Sequence, residues 1–140
     1  MIYVDTSVLV SSLTNEMDTR RAQEALLRHE SGALYISQWS ITEFSSALSL
    51  KERVGGIGAG DAKRVRAQFY QMIEASLEVL DVSNQHFKLA ASFTEDPELA
   101  LRSGDALHLA IAFDHRMTIC TLDKKMARAG SLLGISTDLL

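Results

Sequence analysis

The feature that most constrains this chain is an alternation. Short apolar, β-branched-rich runs occur at 2–4 (IYV), 33–36 (ALYI), 77–82 (LEVLDV), 117–121 (MTICT) and 135–137 (IST). Helix-compatible stretches near 16–30, 38–54, 61–75, 84–94, 104–115 and 124–130 lie between or beside them. Strands separated by helices pack as βαβ units, and repeated units build a mostly parallel sheet covered on its faces. The expectation is a single α/β domain over residues 1–140, with about four to five strands. Stretches 38–54 and 61–75 follow one another with no strand between them, so about 38–75 reads as a helical insertion inside that domain.

Composition narrows the field further. With 46% hydrophobic and 23% charged residues, 140 residues suffice for a core, and disorder is excluded. The sequence has no long apolar run, and Asp5 interrupts the first strand too early for a signal peptide, so no membrane span is expected. The single cysteine, Cys120, reads as a small buried strand residue and fits a reducing, cytoplasmic setting. A net charge of −4 argues against a broadly basic nucleic-acid binder and leaves local patches open. The glycine run "GGIGAG" at 55–60 lacks the dinucleotide-binding spacing and follows a helix, so Gly55 or Gly56 reads as a helix C-cap and the rest as a hinge.

Four acids occupy equivalent addresses. Asp5 ends the first strand and precedes a short helix-compatible segment. Glu43 sits in an apolar stripe with Trp39, Ala47, Leu50 and Val54, where an unpaired carboxylate is costly. Asp105 lies near the start of "SGDALHLAIAFD", a helix apolar nearly all round, behind Ser103 as its expected N-cap. Asp123 follows the strand that ends at Thr121 and precedes another helix. Each has a local explanation: Asp5 and Asp123 as N-caps, Glu43 in a Ser40–Glu43 capping box, Asp105 at a favourable helix-dipole position. Together they fall along the carboxyl edge of a parallel sheet, where α/β folds collect ligands. Converging carboxylates repel unless a cation enters, and oxygen-only sites suit Mg²⁺ or Mn²⁺. Such sites serve phosphoryl and phosphodiester displacement. His108, with no partner at metal-ligand spacing in the sequence, reads as a core or boundary histidine; Trp39 and Phe44 read as packing residues.

The ordered set "YVDTSVLV", "ITEF", "SGDALHLA" and "TLDKKMARAG" resembles the PIN domain, and within it the VapC toxins of VapBC toxin–antitoxin pairs. The resemblance runs over essentially the whole chain. It implies a metal-dependent endoribonuclease with Asp5, Glu43, Asp105 and Asp123 as its acidic quartet and metal ligands, and Thr121 as a polar group behind them. It further implies Mg²⁺ (or Mn²⁺) as cofactor, a metal-activated water as nucleophile, and products with 5′-phosphate and 3′-hydroxyl ends. It implies a homodimer and a VapB-type antitoxin lying across the site. One departure concerns Lys124, where many relatives carry an acid or Asn, and this makes Asp123 a candidate outer-sphere ligand.

An acidic protein that cuts RNA needs local basic surface. Lys124, Lys125 and Arg128 follow Asp123 directly and are the candidate RNA contacts, whereas Lys63, Arg64 and Arg66 read as a solvated helix face. Two rival readings remain. A phospho-acceptor receiver domain would need an acidic pair after the first strand and an acceptor Asp after a central one, but 77–82 is followed by Ser83-Asn84. A catalytically silent PIN-like binding module is the second.

Overall fold

The computed structural model describes residues 1–30 and 32–140. Among these residues, five parallel strands form one sheet in the order β3-β2-β1-β4-β5. They are β1 (Ile2–Val4), β2 (Leu34–Ser37), β3 (Leu77–Leu80), β4 (Thr118–Thr121) and β5 (Thr137–Leu139). Between them lie α1 (Thr6–Leu13), α2 (Thr19–Leu27), α3 (Gln38–Arg53), α4 (Ala59–Ser76), α5 (Asn84–Thr94), α6 (Ser103–Asp114) and α7 (Lys124–Leu132). The α/β expectation holds, and α3 and α4 stand between β2 and β3 as the predicted helical pair.

The alternation of side chains along β1 explains why helices cover both faces. Tyr3 points into a core built with Phe93, Leu109, Ile111, Ile119 and Met126. Val4 points the other way, into a core with Val8, Ile36, Phe44, Leu48 and Phe69. A period of two divides neighbouring residues between the faces, and burial on both sides suits a parallel strand. On the second face Phe44 of α3 stacks on Phe69 of α4, centroids 3.8 Å apart and planes 17° off parallel. Both are 1% exposed, so truncating either to Ala should cost about 3–5 kcal/mol.

The sheet order places the site. From β1 the chain builds outward through β2 to β3, then crosses back to lay β4 on the other side of β1. The crevice outside the carboxyl ends at such a reversal is where open α/β sheets bind ligands. Asp5 stands at its lip.

Two strands differ from the sequence reading by two residues, and β2 and β4 by only one. The third stops at Leu80, short of 82. The fifth spans Thr137–Leu139 in place of the predicted 135–137. The reason is the turn after α7: Gly134 takes φ +73°, and the Ile135 N–H is spent on Gly130 O at 2.8 Å. Ile135 therefore anchors the turn in the core at 5% exposure, and pairing starts later. Gly130 permits this closeness, since a Cβ there would lie 2.6 Å from Thr137 Cγ2. Gly55, at φ +76° just past α3, takes the predicted helix-terminating role.

Candidate active site

Each acid is positioned by hydrogen bonds that engage one of its oxygens. The Asp5 N–H extends the ladder to Cys120 O at 3.0 Å. Its Oδ2 accepts from Thr121 Oγ1 at 2.8 Å and Ser7 Oγ at 2.5 Å, and the residue is 4% exposed. Thr121 also accepts the Asp123 N–H at 2.9 Å, so one hydroxyl ties two acids together. Asp123 caps α7 in the predicted way, with Oδ1 accepting from the Lys125 and Met126 N–H groups at 2.7 and 3.1 Å. Asp105 accepts the Arg102 N–H on Oδ2 at 3.4 Å. The N-cap of α6 is Arg102 rather than the predicted Ser103, which instead forms the first helical residue.

Glu43 is not held by a capping box of its own. That box is formed by Ser37 and Ser40, which puts Glu43 in the second turn of α3, clear of the helix end. Its Oε2 accepts from Thr6 Oγ1 at 2.8 Å and from His108 Nε2 at 2.6 Å. The Trp39 indole N–H lies near enough to favour the charged carboxylate, yet off hydrogen-bond geometry, and it is otherwise unpartnered.

Local anchoring and site-building are thus compatible. Asp5, Glu43, Asp105 and Asp123 line one cleft of about 710 Å³, together with Glu16, Asp18 and Arg102. Burial raises the Asp105 carboxyl above its ordinary range, and the charges of Asp123 and Asp5 raise it further. For Glu43 burial also pushes upward, but the His108 hydrogen bond and charge, aided by Thr6 and Trp39, leave it below its ordinary value. Acids that destabilise one another's ionised forms are what a cation relieves. Asp5 and Glu43 offer carboxylate oxygens within 4.8 Å of each other, and Asp105 and Asp123 line the same cleft, an acidic lining of the kind that suits a hard divalent ion such as Mg²⁺ or Mn²⁺.

His108 corrects the sequence reading in part. It is buried, at 1% exposure, as a core histidine should be. Folding nevertheless brings it up behind the cleft's acids, where ligand atoms of Asp5, Glu43 and His108 lie within 4.8 Å of one another. Burial alone would lower its pKa; Tyr3, the Glu43 hydrogen bond and the Asp5 charge outweigh that and push it up to about 10. A second trio, His86, Asp114 and His115, is equally close-set. There His86 Nδ1 accepts the Ser83 N–H at 3.1 Å, which places the ring proton on Nε2, facing Asp114 Oδ2 at 3.0 Å. That proton occupies the lone pair a metal would need, so the trio is a hydrogen-bonded cap.

Among the predicted basic residues, Lys124 and Lys125 line an adjoining cleft of about 540 Å³ that shares Ser7, Arg102, Asp105, Leu122 and Asp123 with the first. Arg128 is not with them: its guanidinium donates to Glu98 O at 3.1 Å, pinning the loop before α6. Arg102 lines both clefts and was missed; its position three residues before Asp105 is the signal that could have found it. Arg64 pairs with Asp61 at 3.0 Å on the exposed side of α4, as a solvated face does.

The PIN domain family model matches residues 2–132, and the chain belongs to the PIN domain family. Solved structures agree at the level of the fold. VapC20 of Mycobacterium tuberculosis, a sarcin-ricin loop cleaving toxin, is 17% identical, with 93% of this chain and 95% of that chain covered at a TM-score of 0.73. FitAcB from Neisseria gonorrhoeae is 16% identical, covering 98% and 96%, at a TM-score of 0.71. VapBC2 from Rickettsia felis, bound to a DNA fragment from their promoter, is 16% identical, covering 99% and 98%, at a TM-score of 0.69. No curated protein matches the sequence. The strand order 3-2-1-4-5 also removes the receiver-domain rival, whose flavodoxin-like order is 2-1-3-4-5. No helix among the described residues is long and apolar enough to cross a membrane.

Proposed function

We propose that this protein is a divalent-metal-dependent endoribonuclease and the toxin of a VapBC-type pair. The observation that carries this reading is the convergence of Asp5, Glu43, Asp105 and Asp123 on one cleft at the carboxyl edge of the sheet in a PIN-family chain. A divalent ion held by these acids would supply an activated water and neutralise charge at the scissile phosphate. The chain's own residues do the rest. Thr121 and Ser7 orient Asp5; Thr6 and His108 orient Glu43; the α7 cap holds Asp123 at the wall, in keeping with an outer-sphere role. Arg102, Lys124 and Lys125, on the adjoining cleft, grip backbone phosphates of the RNA and offset the acidic net charge. A VapB-type antitoxin as partner, a homodimeric state and a cytoplasmic location complete the proposal, supported by likeness to toxins solved within toxin–antitoxin complexes.

The test is incubation of purified protein with mixed RNAs in Mg²⁺, in Mn²⁺ and in EDTA, beside Asp5→Asn. Cleavage that needs the ion and Asp5 supports the proposal. Intact RNA under all conditions, from folded protein free of antitoxin, would mark a silent binding module instead.

A further inference from the structure

Behind the acid cleft runs a buried polar chain. Tyr3, on the central strand, and His108, on α6, are 0% and 1% exposed. Tyr3 Oη lies 2.8 Å from His108 Nδ1 and 2.8 Å from Ser37 Oγ, with Ser40 Oγ at 3.4 Å. On the far side of the imidazole, Nε2 lies 2.6 Å from Glu43 Oε2. The two rings are tilted by 56°, centroids 5.6 Å apart.

Donor and acceptor roles follow from the chemistry. An ionised carboxylate only accepts, so Nε2 carries a proton and donates it to Glu43. Tyr3 and the two serines hold the opposite ring nitrogen, and rotating the ring would break both ends of the chain at once. A purely structural histidine here would be an extravagant choice, since an apolar side chain would fill the same space with no polar atom to satisfy. The chain also ends on a side chain of the cleft rather than on backbone. Thr6 and His108 both bond Oε2, which fixes the carboxylate plane and leaves Oε1 against Gly104, where a Cβ would come within 2.7 Å.

We propose that His108, locked by Tyr3, is the positioning residue for Glu43, fixing the carboxylate that the cleft offers to a divalent ion. This rests on the metal-site reading above. Outer partners of metal-binding groups commonly matter about 10–100-fold in affinity, and here the partner is an imidazole anchored from the central strand. Glu43 has a side chain 28% exposed, so without its tether it can swing toward solvent.

The experiment measures Mn²⁺ affinity by calorimetry on the full chain, with a thermal melt to confirm folding of each variant. His108→Leu should weaken binding by about tenfold or more, as Glu43→Gln does. His108→Gln, whose amide nitrogen reaches the Nε2 position, should stay within about threefold of wild type. Tyr3→Phe removes one oxygen and keeps the packing; it should weaken binding measurably, and it carries the test if His108→Leu does not fold. Wild-type or tighter affinity in folded His108→Leu, or in Tyr3→Phe, overturns the positioning role, as does a lowered melting temperature without any change in affinity. Failure of the metal-site reading is distinguishable: Asp5→Asn and Glu43→Gln would then bind Mn²⁺ like wild type.

Discussion

His86 and His108 are both buried histidines that bond a carboxylate through Nε2, the first reaching Asp114 at the end of α6 and the second standing on α6 itself. Their surroundings separate them. His86 faces Asp114, whose side chain is 61% exposed, at 3.0 Å. His108 faces Glu43 at 2.6 Å and Asp5 at 3.6 Å, with side chains 28% and 5% exposed. Solvent reaches the first pair more than the second, so the same residue types exert different forces. Location on the sheet decides this. His108 lies where β1 and β4 end and several acids converge, while His86 completes a capping box with Ser83 at the start of α5.

The largest effect that can break this contrast is expected from Asp5→Asn. RNA cleavage should fall by about 100-fold or more, and growth arrest on expression without antitoxin should be relieved at equal protein level. The stabilisation by Mg²⁺, about 2.7 kcal/mol at a hundredfold excess over Kd, should shrink toward zero in the same variant. A wild-type shift in its melt would remove Asp5 from the site.

Next comes Glu43→Gln. Breaking a buried ion pair costs about 3–5 kcal/mol, but partial exposure of Glu43 reduces this to about 1–2 kcal/mol at neutral pH. The pH dependence has a definite sign. The His108 pKa is raised from 6.5 to about 10, so its stabilising contribution is complete below about pH 6.5 and is lost as pH rises toward 10. Glu43 is lowered, so its share is present above its ordinary value of 4.5 and is lost on acidification below it. Denaturant unfolding from pH 7 to 10 should show wild type losing stability more steeply than Glu43→Gln. Parallel curves would mean that the pair is not coupled.

Asp105→Asn should act in the opposite direction. A carboxyl raised by burial and by like charges opposes folding when ionised, so its neutralisation should stabilise the metal-free protein by up to about 1 kcal/mol at pH 7. The gain should fade in acid, where wild type is already protonated. A loss of stability in EDTA would instead identify Asp105 as only a helix-terminal acid.

Smaller still is Arg102→Ala. In an Asp5→Asn background it should weaken RNA binding a fewfold and lower the salt slope by about 0.7, while Mn²⁺ affinity stays unchanged. The smallest effect belongs to the other histidine: Asp114→Asn should change stability by less than about 0.5 kcal/mol and leave cleavage untouched. A large loss of cleavage there would erase the distinction between the two histidines.

What could be read in the sequence follows the range of the interactions involved. Asp5 and Asp123 were legible because a strand-ending acid before a helix is a local pattern, and Glu43 because an acid in an apolar stripe is visible within two turns. His108 was not, because its partner stands 65 residues away and only the fold brings them together. The one local hint was a histidine one turn after Asp105 on a helix apolar nearly all round. Arg128 misled for a similar reason: proximity to Asp123 in sequence did not reveal that Glu98 O, 30 residues earlier, would claim its guanidinium. The strand core survived translation from pattern to structure; the β5 boundary moved because a glycine turn spent the Ile135 N–H.

The central place of β1 has a consequence for biosynthesis. Its strand of residues 2–4 pairs with residues 118–120, and Thr121 joins Asp5 to Asp123. A nascent chain growing at about 5–20 residues per second carries Asp5 for several seconds before Asp123 is added, and cannot close the cleft until then. The acids of the cleft therefore stay apart during synthesis until β4 has been made and has paired with β1.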